Sequence, residues 1–462
     1  FVKNNFPKMI NKPSIPKGTR DFSPLTMRKR NYVLEILKKK FELFGFEQIE
    51  TPSFENLNTL LGKYGDEGDK LIFKILNSGD FLSKAQIDDS TTSKAIIPDI
   101  SNKALRYDLT IPFARYIAQH RNDIIFPFRR FQMQNVWRAD KPQKGRFREF
   151  FQCDADIIGT KSLLAEIDLI QLYDEVLSSL GFSNISIKIN NRKILSGITQ
   201  IIGVDDKTND FLVSLDKVEK IGISNFKNEL HKKGFDDQAI NSMNLIFDLN
   251  GCNSSKITKL KSFLKDSEIG LEGIKELNQI INKIDDIKLK CSSLDFDITL
   301  ARGLDYYTGS IFEVKSNDYD IGSIGGGGRY DNLTGIFGFE NISGVGISFG
   351  FDRICMALES LNLFPKFSEK RTRILIINFG EFEEKYCLDL LKKLRDEGIS
   401  SLIYTSPTKL KKQMQYADKN NIEFVIIVGQ NEIKTNTITV KNMFTGTQEN
   451  MAFEKLLDII KH

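Results

Sequence analysis

The residues best placed to do chemistry in this chain are arginines, each set among acidic, aromatic or glycine neighbours. Arg138 ends the β-type run FRRFQMQNVWR and is followed by ADKPQKGR at 139–146, a loop with three basic side chains in eight residues. A second β-type run opens at Phe147. Alternation puts Arg148, Phe150, Gln152, Asp154 and Asp156 on one face and Phe147, Glu149, Phe151 and Cys153 on the other. The first face can hold a nucleotide, with Arg138 on a phosphate and Phe150 stacked on a base. An exposed basic hairpin would carry the same residues.

Three further segments have this character. In SGVGISFGFDRICMAL, Gly344, Gly346 and Gly350 thin a strand that runs into a helix, and Arg353 lies near the helix start, where a polyphosphate could sit. Neither the GxxxxGK[ST] nor the GxGxxG spacing is present, and the glycines serve tight packing equally well. In LARGLDYYTG, Arg302, Asp305, Tyr306 and Tyr307 crowd one strand end, where a buried arginine needs an anion from a ligand or from Asp305. SIGGGGRYD at 323–331 holds four consecutive glycines, costly in a regular element unless backbone must approach something closely, and otherwise a flexible turn. In LRYDLT, Arg106, Asp108 and Thr110 are expected to share one strand face, letting Asp108 and Asp156 line one pocket for a small cationic or polar substrate. A solvated strand face is the plainer alternative.

The rest of the composition narrows the chemistry. The three histidines are His120, His231 and His462, too few for most triad or metal-histidine sites. The five cysteines show no CxxC pairing, so no metal ligands are assigned, and a reducing, cytoplasmic setting fits. No apolar run is long enough to span a bilayer, so a membrane role is not expected. A net charge of +4 permits an RNA partner without demanding one. The first residues lack the apolar core of a secretory signal.

These segments need elements to hold them. At 462 residues the chain is long enough for two to four domains. Ser23 to Gly45 reads as a helix, with Ser23 as cap, Pro24 in the first turn and Val33, Ile36, Leu37, Phe41 and Phe44 at helical spacing. From Gly45 to about Phe182, β-type runs such as FEQIETPSF, KALRYDLTIPF and FREFFQCDADII predict a largely antiparallel sheet, with a helix over 162–180. About 196–290 is rich in Lys, Asn, Asp, Ile and Leu at helical spacing, as an inserted helical domain would be. Strand-like sequence then returns. Beyond a polar linker near 364–370, strands and helices alternate in the pattern of a small α/β domain.

In order and wording these segments resemble the histidyl-tRNA synthetase family, class II aminoacyl-tRNA synthetases, over nearly the whole chain. KGTRD at 17–21 is similar to the family's opening signature, GFEQIETPSFE to motif 1, the hairpin at Arg138 to motif 2 and SGVGISFGFDRI to motif 3. LARGLDYYTGSIFEV and GGGGRYD resemble its two histidine-specific motifs. The resemblance implies an α+β fold: a class II antiparallel sheet flanked by helices, a helical insertion and a C-terminal α/β anticodon-binding domain. The parts would be 1–195 and 291–366 for the catalytic domain, 196–290 for the insertion and 371–462 for the anticodon domain.

It also implies an activity: activation of L-histidine to histidyl-adenylate with ATP, helped by Mg²⁺, then transfer to the 3′ end of tRNA(His) with release of AMP and pyrophosphate. Arg138 would hold the α-phosphate and the histidine carboxylate, Arg353 the γ-phosphate and Phe150 the adenine. Arg146 would lie near the polyphosphate tail and Asp140 against adenine, with ATP bent. Arg302 would be the catalytic arginine at the α-phosphate. Asp108, Thr110, Gln152 and Asp156 would contact the ammonium and ring of histidine, with Tyr306, Tyr307 and Tyr330 completing the pocket. Asp108 and Asp140 stand where many relatives have glutamate. Motif 1 would make a homodimer, and the KLKK run at 409–412 would offer phosphate contacts to tRNA. A carboxylate is already a nucleophile at neutral pH, so such a site needs charge neutralisation and alignment rather than a histidine base. The competing reading is a catalytically silent paralogue that binds histidine or tRNA in a regulatory role.

Overall fold

The structure is a computed structural model that describes residues 13–83, 85–88, 91–243, 247, 249–301, 306–365 and 372–461. Helix α1 (Pro24–Leu43) starts as its sequence requires: the Ser23 hydroxyl accepts the Thr26 N–H at 3.2 Å, and Pro24 occupies a position whose N–H would have no helical partner. Val33, Leu37 and Phe41 form its buried stripe, and Gly45, at a φ of 76°, turns the chain out of it.

Strand β1 (Glu47–Gln48) pairs parallel with β5 (Phe128–Trp137). Between them β2 (Phe54–Asn56), β3 (Lys74–Ile75) and β4 (Lys103–Leu105) form a separate small sheet in the order β2-β4-β3. The hairpin of β5 and β6 (Glu149–Ile158) keeps one register throughout, from Trp137 opposite Glu149 to Arg130 opposite Asp156. Strands β7 (Ile185–Asn191), β8 (Ser292–Phe296), β9 (Ser310–Ser316), β10 (Gly325–Tyr330) and β11 (Gly344–Phe349) complete a sheet of order β1-β5-β6-β11-β10-β9-β7-β8. It is antiparallel except at the β1-β5 and β7-β8 pairs. Between β7 and β8 the chain runs through helices, from Arg192–Ile201 to Glu268–Ile287.

The two faces of β6 have opposite fates. Cys153, Ala155 and Ile157 join the apolar core with Phe41 of α1 and with Leu169 and Tyr173 of the helix Leu164–Ser179. The ring of Phe41 lies 5.0 Å from that of Phe131 and 5.8 Å from that of Phe349, binding helix to sheet. Gln152, Asp154 and Asp156 are turned the other way, where the sheet stays polar.

Two local expectations fail. Helices Ser93–Ile100 and Thr110–Gln119 interrupt the supposed run of strands. KALRYDLTIPF leaves its strand at Leu105, so Asp108 and Thr110 do not share a strand face. Asp108 Oδ1 instead accepts the Ile111 N–H at 3.2 Å, Pro112 sits in the first turn where its missing N–H costs nothing, and Ile111, Phe113, Ala114 and Ile117 are buried at helical spacing. The four glycines form not a turn but strand β10. A Cβ at Gly325 would meet Tyr173 at 2.7 Å and one at Gly328 would meet the Ser310 carbonyl oxygen at 2.7 Å, so close approach is what the glycines serve.

The C-terminal unit has its own sheet, of order β13-β12-β14-β15-β16: β12 (Ile374–Ile376), β13 (Ser401–Ile403), β14 (Phe424–Ile427), β15 (Ile438–Asn442) and β16 (Gln448–Met451). Strands β13, β12 and β14 are parallel, β15 and β16 continue the sheet antiparallel, and an apolar cluster lies on each face. No helix among the described residues is long and apolar enough to cross a membrane.

Candidate functional site

The polar face of the large sheet carries two adjoining pockets. The smaller, about 380 Å³ of empty space counting the part open to solvent, is lined by Asp108, Thr110, Arg138, Gln152, Asp154, Asp156, Tyr306, Tyr307 and Tyr330. The larger is lined by Arg138, Asp140, Arg146, Phe147, Phe150, Glu313, Ser323 and Arg353. Arg138, Gln152, Tyr307, Gly326 and Ser348 belong to both. The two pockets thus gather the positions expected to touch histidine or ATP except Arg302, which with Asp305 lies outside the described residues.

In the small pocket, carboxyls are buried and held from behind. Asp108 Oδ1 accepts the Tyr64 hydroxyl at 2.8 Å, while its buried Oδ2 has no hydrogen-bond partner among the described residues. Gln152 gives its amide N–H to Ser348 Oγ at 3.1 Å, and its Oε1 is likewise buried without a donor. Two acceptors lining one cavity are therefore unsatisfied, which makes a ligand with several N–H donors the natural complement. Asp156 is engaged on both oxygens, by the Tyr330 hydroxyl at 2.6 Å and by Arg130 at 2.8 Å. A Cβ at position 346 would fall 1.9 Å from Asp156 Oδ1, so Gly346 makes room for that carboxyl.

Burial raises the pKa of Asp108, with the Tyr64 hydroxyl and Arg138 opposing it, and raises that of Asp156 against Arg130 and the Tyr330 hydroxyl. Burial pushes Asp154 furthest, up to about 7; Arg130 opposes the rise and the negative Asp156 adds to it. Burial also keeps Tyr306, Tyr307 and Tyr330 protonated, as hydrogen-bond donors well above neutral pH.

Arginines rim the larger pocket, and backbone carbonyls aim them. Arg138 Nε donates to the Tyr107 carbonyl at 3.0 Å, with its guanidinium 4.3 Å from the Tyr107 ring and 5.1 Å from that of Phe150. Arg353 donates from Nε to the Gly145 carbonyl at 2.9 Å and from Nη1 to that of Ser323 at 2.8 Å. Arg146 is half exposed and stands 3.6 Å from Asp140. These bonds fix direction while leaving the positive charges unneutralised by the carbonyls, an arrangement suited to an anion with several oxygens. Glu313 and Asp352 are buried carboxyls of this pocket, Glu313 being hydrogen-bonded to Ser323. No group of three or more His, Cys, Asp or Glu with metal-binding geometry occurs among the described residues.

Sequence reasoning passed over Tyr64, Arg130, Ser348 and Glu313. Only Arg130 had left a signal: the hairpin register that starts beside Arg138 runs unbroken to place it opposite Asp156. Tyr64 reaches Asp108 across 44 residues and Ser348 reaches Gln152 across 196, separations that no local pattern spans.

Comparison with known proteins gives the family. Residues 18–354 match the family model for histidyl-tRNA synthetase, and residues 373–462 match that for an anticodon binding domain. A histidine–tRNA ligase of Christiangramia forsetii is 54% identical over 456 residues, covering 98% of this chain and 100% of that protein. One of Phocaeicola vulgatus is 52% identical, again covering 98% of this chain and 100% of its own length. Among solved structures, the histidyl-tRNA synthetase of Nostoc sp. PCC 7120 superposes with a TM-score of 0.76 at 29% identity, covering 98% of this chain and 99% of that one. With most of its length matched by one family model and by relatives of about half its sequence, this chain belongs to the histidyl-tRNA synthetase family.

Proposed function

We infer that this chain is a histidine–tRNA ligase that activates L-histidine with ATP and transfers it to tRNA(His). The observation that carries the reading is the pair of pockets meeting at Arg138. One has buried acceptors awaiting an ammonium group, and the other is rimmed by arginines. The regulatory alternative draws no support from full-length relatives that are ligases.

In this assignment histidine lies in the smaller pocket. Its ammonium meets Asp108, Thr110 and Gln152, which supplies the donors that Asp108 Oδ2 and Gln152 Oε1 lack. Its ring lies among Asp156, Tyr306, Tyr307 and Tyr330. An analogue unable to pair with those polar groups would leave them buried and unsatisfied, which is the basis of selectivity. Adenine stacks on Phe150 beside Asp140, the polyphosphate meets Arg146 and Arg353, and Arg138 holds both the carboxylate and the α-phosphate. Arg302 is assigned by resemblance to the α-phosphate.

A histidine carboxylate oxygen then bonds to the α-phosphorus while the bond from that phosphorus to the bridging oxygen breaks, and pyrophosphate leaves. The attacking group is ionised already, so the protein's task is to reduce repulsion between two anions and align them. The terminal tRNA hydroxyl next attacks the carbonyl carbon of histidyl-adenylate, and AMP departs. Glu313, which lines the larger pocket, would be the residue to hold Mg²⁺ together with phosphate oxygens, and the ion would neutralise polyphosphate charge.

The domain division is proposed as 1–195 and 291–366 for catalysis, 196–290 for a helical insertion and 371–462 for anticodon binding, with Lys409, Lys411 and Lys412 toward tRNA phosphates. A homodimer is proposed through the motif 1 region, where Phe54 of β2 is exposed. The free cysteines suit a cytoplasmic setting. The test is histidine-dependent exchange of labelled pyrophosphate into ATP: folded protein is expected to catalyse it, and absence of exchange would overturn the enzymatic reading.

A further inference from the structure

The segment KGTRD at 17–21 lines neither pocket, yet it is bound to both of the elements that build the larger one. The Gly18 carbonyl accepts the Arg148 N–H at 2.9 Å, at the start of the descending strand of the hairpin. Gly18 has a φ of 88°, and a Cβ there would fall 2.8 Å from Arg148 Cγ, so glycine is needed both for the turn and for the approach. Two residues later the Arg20 guanidinium lies 3.3 Å from the centre of the Phe147 ring. Phe147 is a wall of the larger pocket.

Arg20 also reaches the opposite wall. Its Nη2 is 2.8 Å from Asp352 Oδ1, and Asp352 is the second residue of the helix Phe351–Ser360, directly before Arg353. Asp352 in turn accepts the Phe151 N–H on Oδ2 at 3.1 Å, tying that helix back to β6. Arg30 of α1 shares Asp352 Oδ1 at 2.5 Å, so the carboxylate is fixed from below while Arg20 spans from it to Phe147.

We propose that Arg20 is a positioning residue for ATP: stacked on Phe147 and paired with Asp352, it holds the hairpin and the Arg353 helix at the spacing the nucleotide requires. The proposal rests on the reading of the larger pocket as the ATP site. A planar guanidinium can stack on a ring and pair with a carboxylate at once; a lysine ammonium can keep the charge but not that double geometry.

The experiment measures KM for ATP and for histidine by pyrophosphate exchange in Arg20→Ala, Arg20→Lys, Phe147→Leu and the Arg20→Ala/Phe147→Leu pair, with Phe150→Ala as a control on the pocket and a melting curve for each. Arg20→Ala is expected to raise KM for ATP about tenfold. Histidine KM should stay within about twofold, because its pocket is held by other residues. Arg20→Lys should fall between wild type and Arg20→Ala, and the double variant should cost little more than the worse single one.

The proposal is overturned if Phe150→Ala raises the ATP requirement and Arg20→Ala does not, if both KM values rise equally, or if the Arg20 and Phe147 effects simply add. If Phe150→Ala also leaves KM for ATP unchanged, the ATP reading of the pocket fails and this proposal falls with it. Should Arg20→Ala not fold, Arg20→Lys and Phe147→Leu read the same coupling.

Discussion

The two pockets solve opposite problems with the same sheet. The smaller is closed and acidic: Asp108, Asp154 and Asp156 are all buried, and their charge is checked by Arg130, Tyr64 and Tyr330 behind them. The larger is more open and sets three arginines, Arg138, Arg146 and Arg353, among the carboxyls of Asp140, Glu313 and Asp352, with two of the arginines aimed by carbonyl oxygens. A small substrate that must be told from its analogues is met by desolvated groups that penalise a mismatch. A highly charged substrate shared by many enzymes is met by charge and orientation. On the proposed assignment, selectivity and electrostatic activation occupy neighbouring but separable surfaces.

Arg138, lining both, is where that separation ends, so Arg138→Ala should do most damage. Its kcat/KM for exchange is expected to fall about 100- to 1,000-fold, through both substrates; an effect confined to one would remove it from the seam. Next comes Asp108→Asn, which keeps the shape and removes the charge. Histidine KM should rise about 10- to 100-fold with ATP KM within about threefold. Comparable changes in both would place Asp108 outside the amino-acid pocket. The mirror experiment is Arg353→Ala, expected to raise ATP KM about tenfold and leave histidine KM nearly unchanged; a histidine effect of equal size would break the division between the pockets.

The smallest effect concerns stability. Folded Asp154 holds its proton up to about pH 7, whereas the unfolded chain releases it near the ordinary carboxylate value, about 4. Its contribution to stability is therefore fully present below about pH 4 and is lost as pH rises through 7. Asp154→Asn, which cannot ionise, is expected to raise Tm by about 2–5 °C at pH 8 and to change it little at pH 4. An equal shift at both pH values would show that ionisation of Asp154 is not its cause.

Much of this arrangement was legible in the sequence because the informative residues come in short strings whose internal spacing is their geometry. Alternation alone put Gln152, Asp154 and Asp156 on one face, and the structure keeps them there. The glycines at 325–328 announced close approach before its partners were known. What the sequence hid depended on distant contacts or on competition between local signals. The β-type look of KALRYDLTIPF concealed a helix that begins at Thr110, where Asp108 accepts the Ile111 N–H and Pro112 enters the first turn. Tyr64 and Ser348 join the site only through tertiary contact. The identity of the anions around Arg138 and Arg353 came from the resemblance, since an arginine beside a glycine strand fits many phosphates equally well.

Gly326 lines both pockets, and a Cβ there would meet only the Phe312 carbonyl oxygen, at 3.3 Å. No side chain of its own partitions the two spaces at that point. If the two pockets take histidine and ATP as proposed, a stable mimic of the acyl-adenylate, with both halves joined through a non-hydrolysable link, is expected to lie across them as one continuous ligand. Tethering makes capture of its second half an intramolecular event, so the joined compound should bind far more tightly than either fragment. Gly326→Ala would raise a low partition under the link, and calorimetry should show a greater loss for the joined compound than for histidine or adenosine alone.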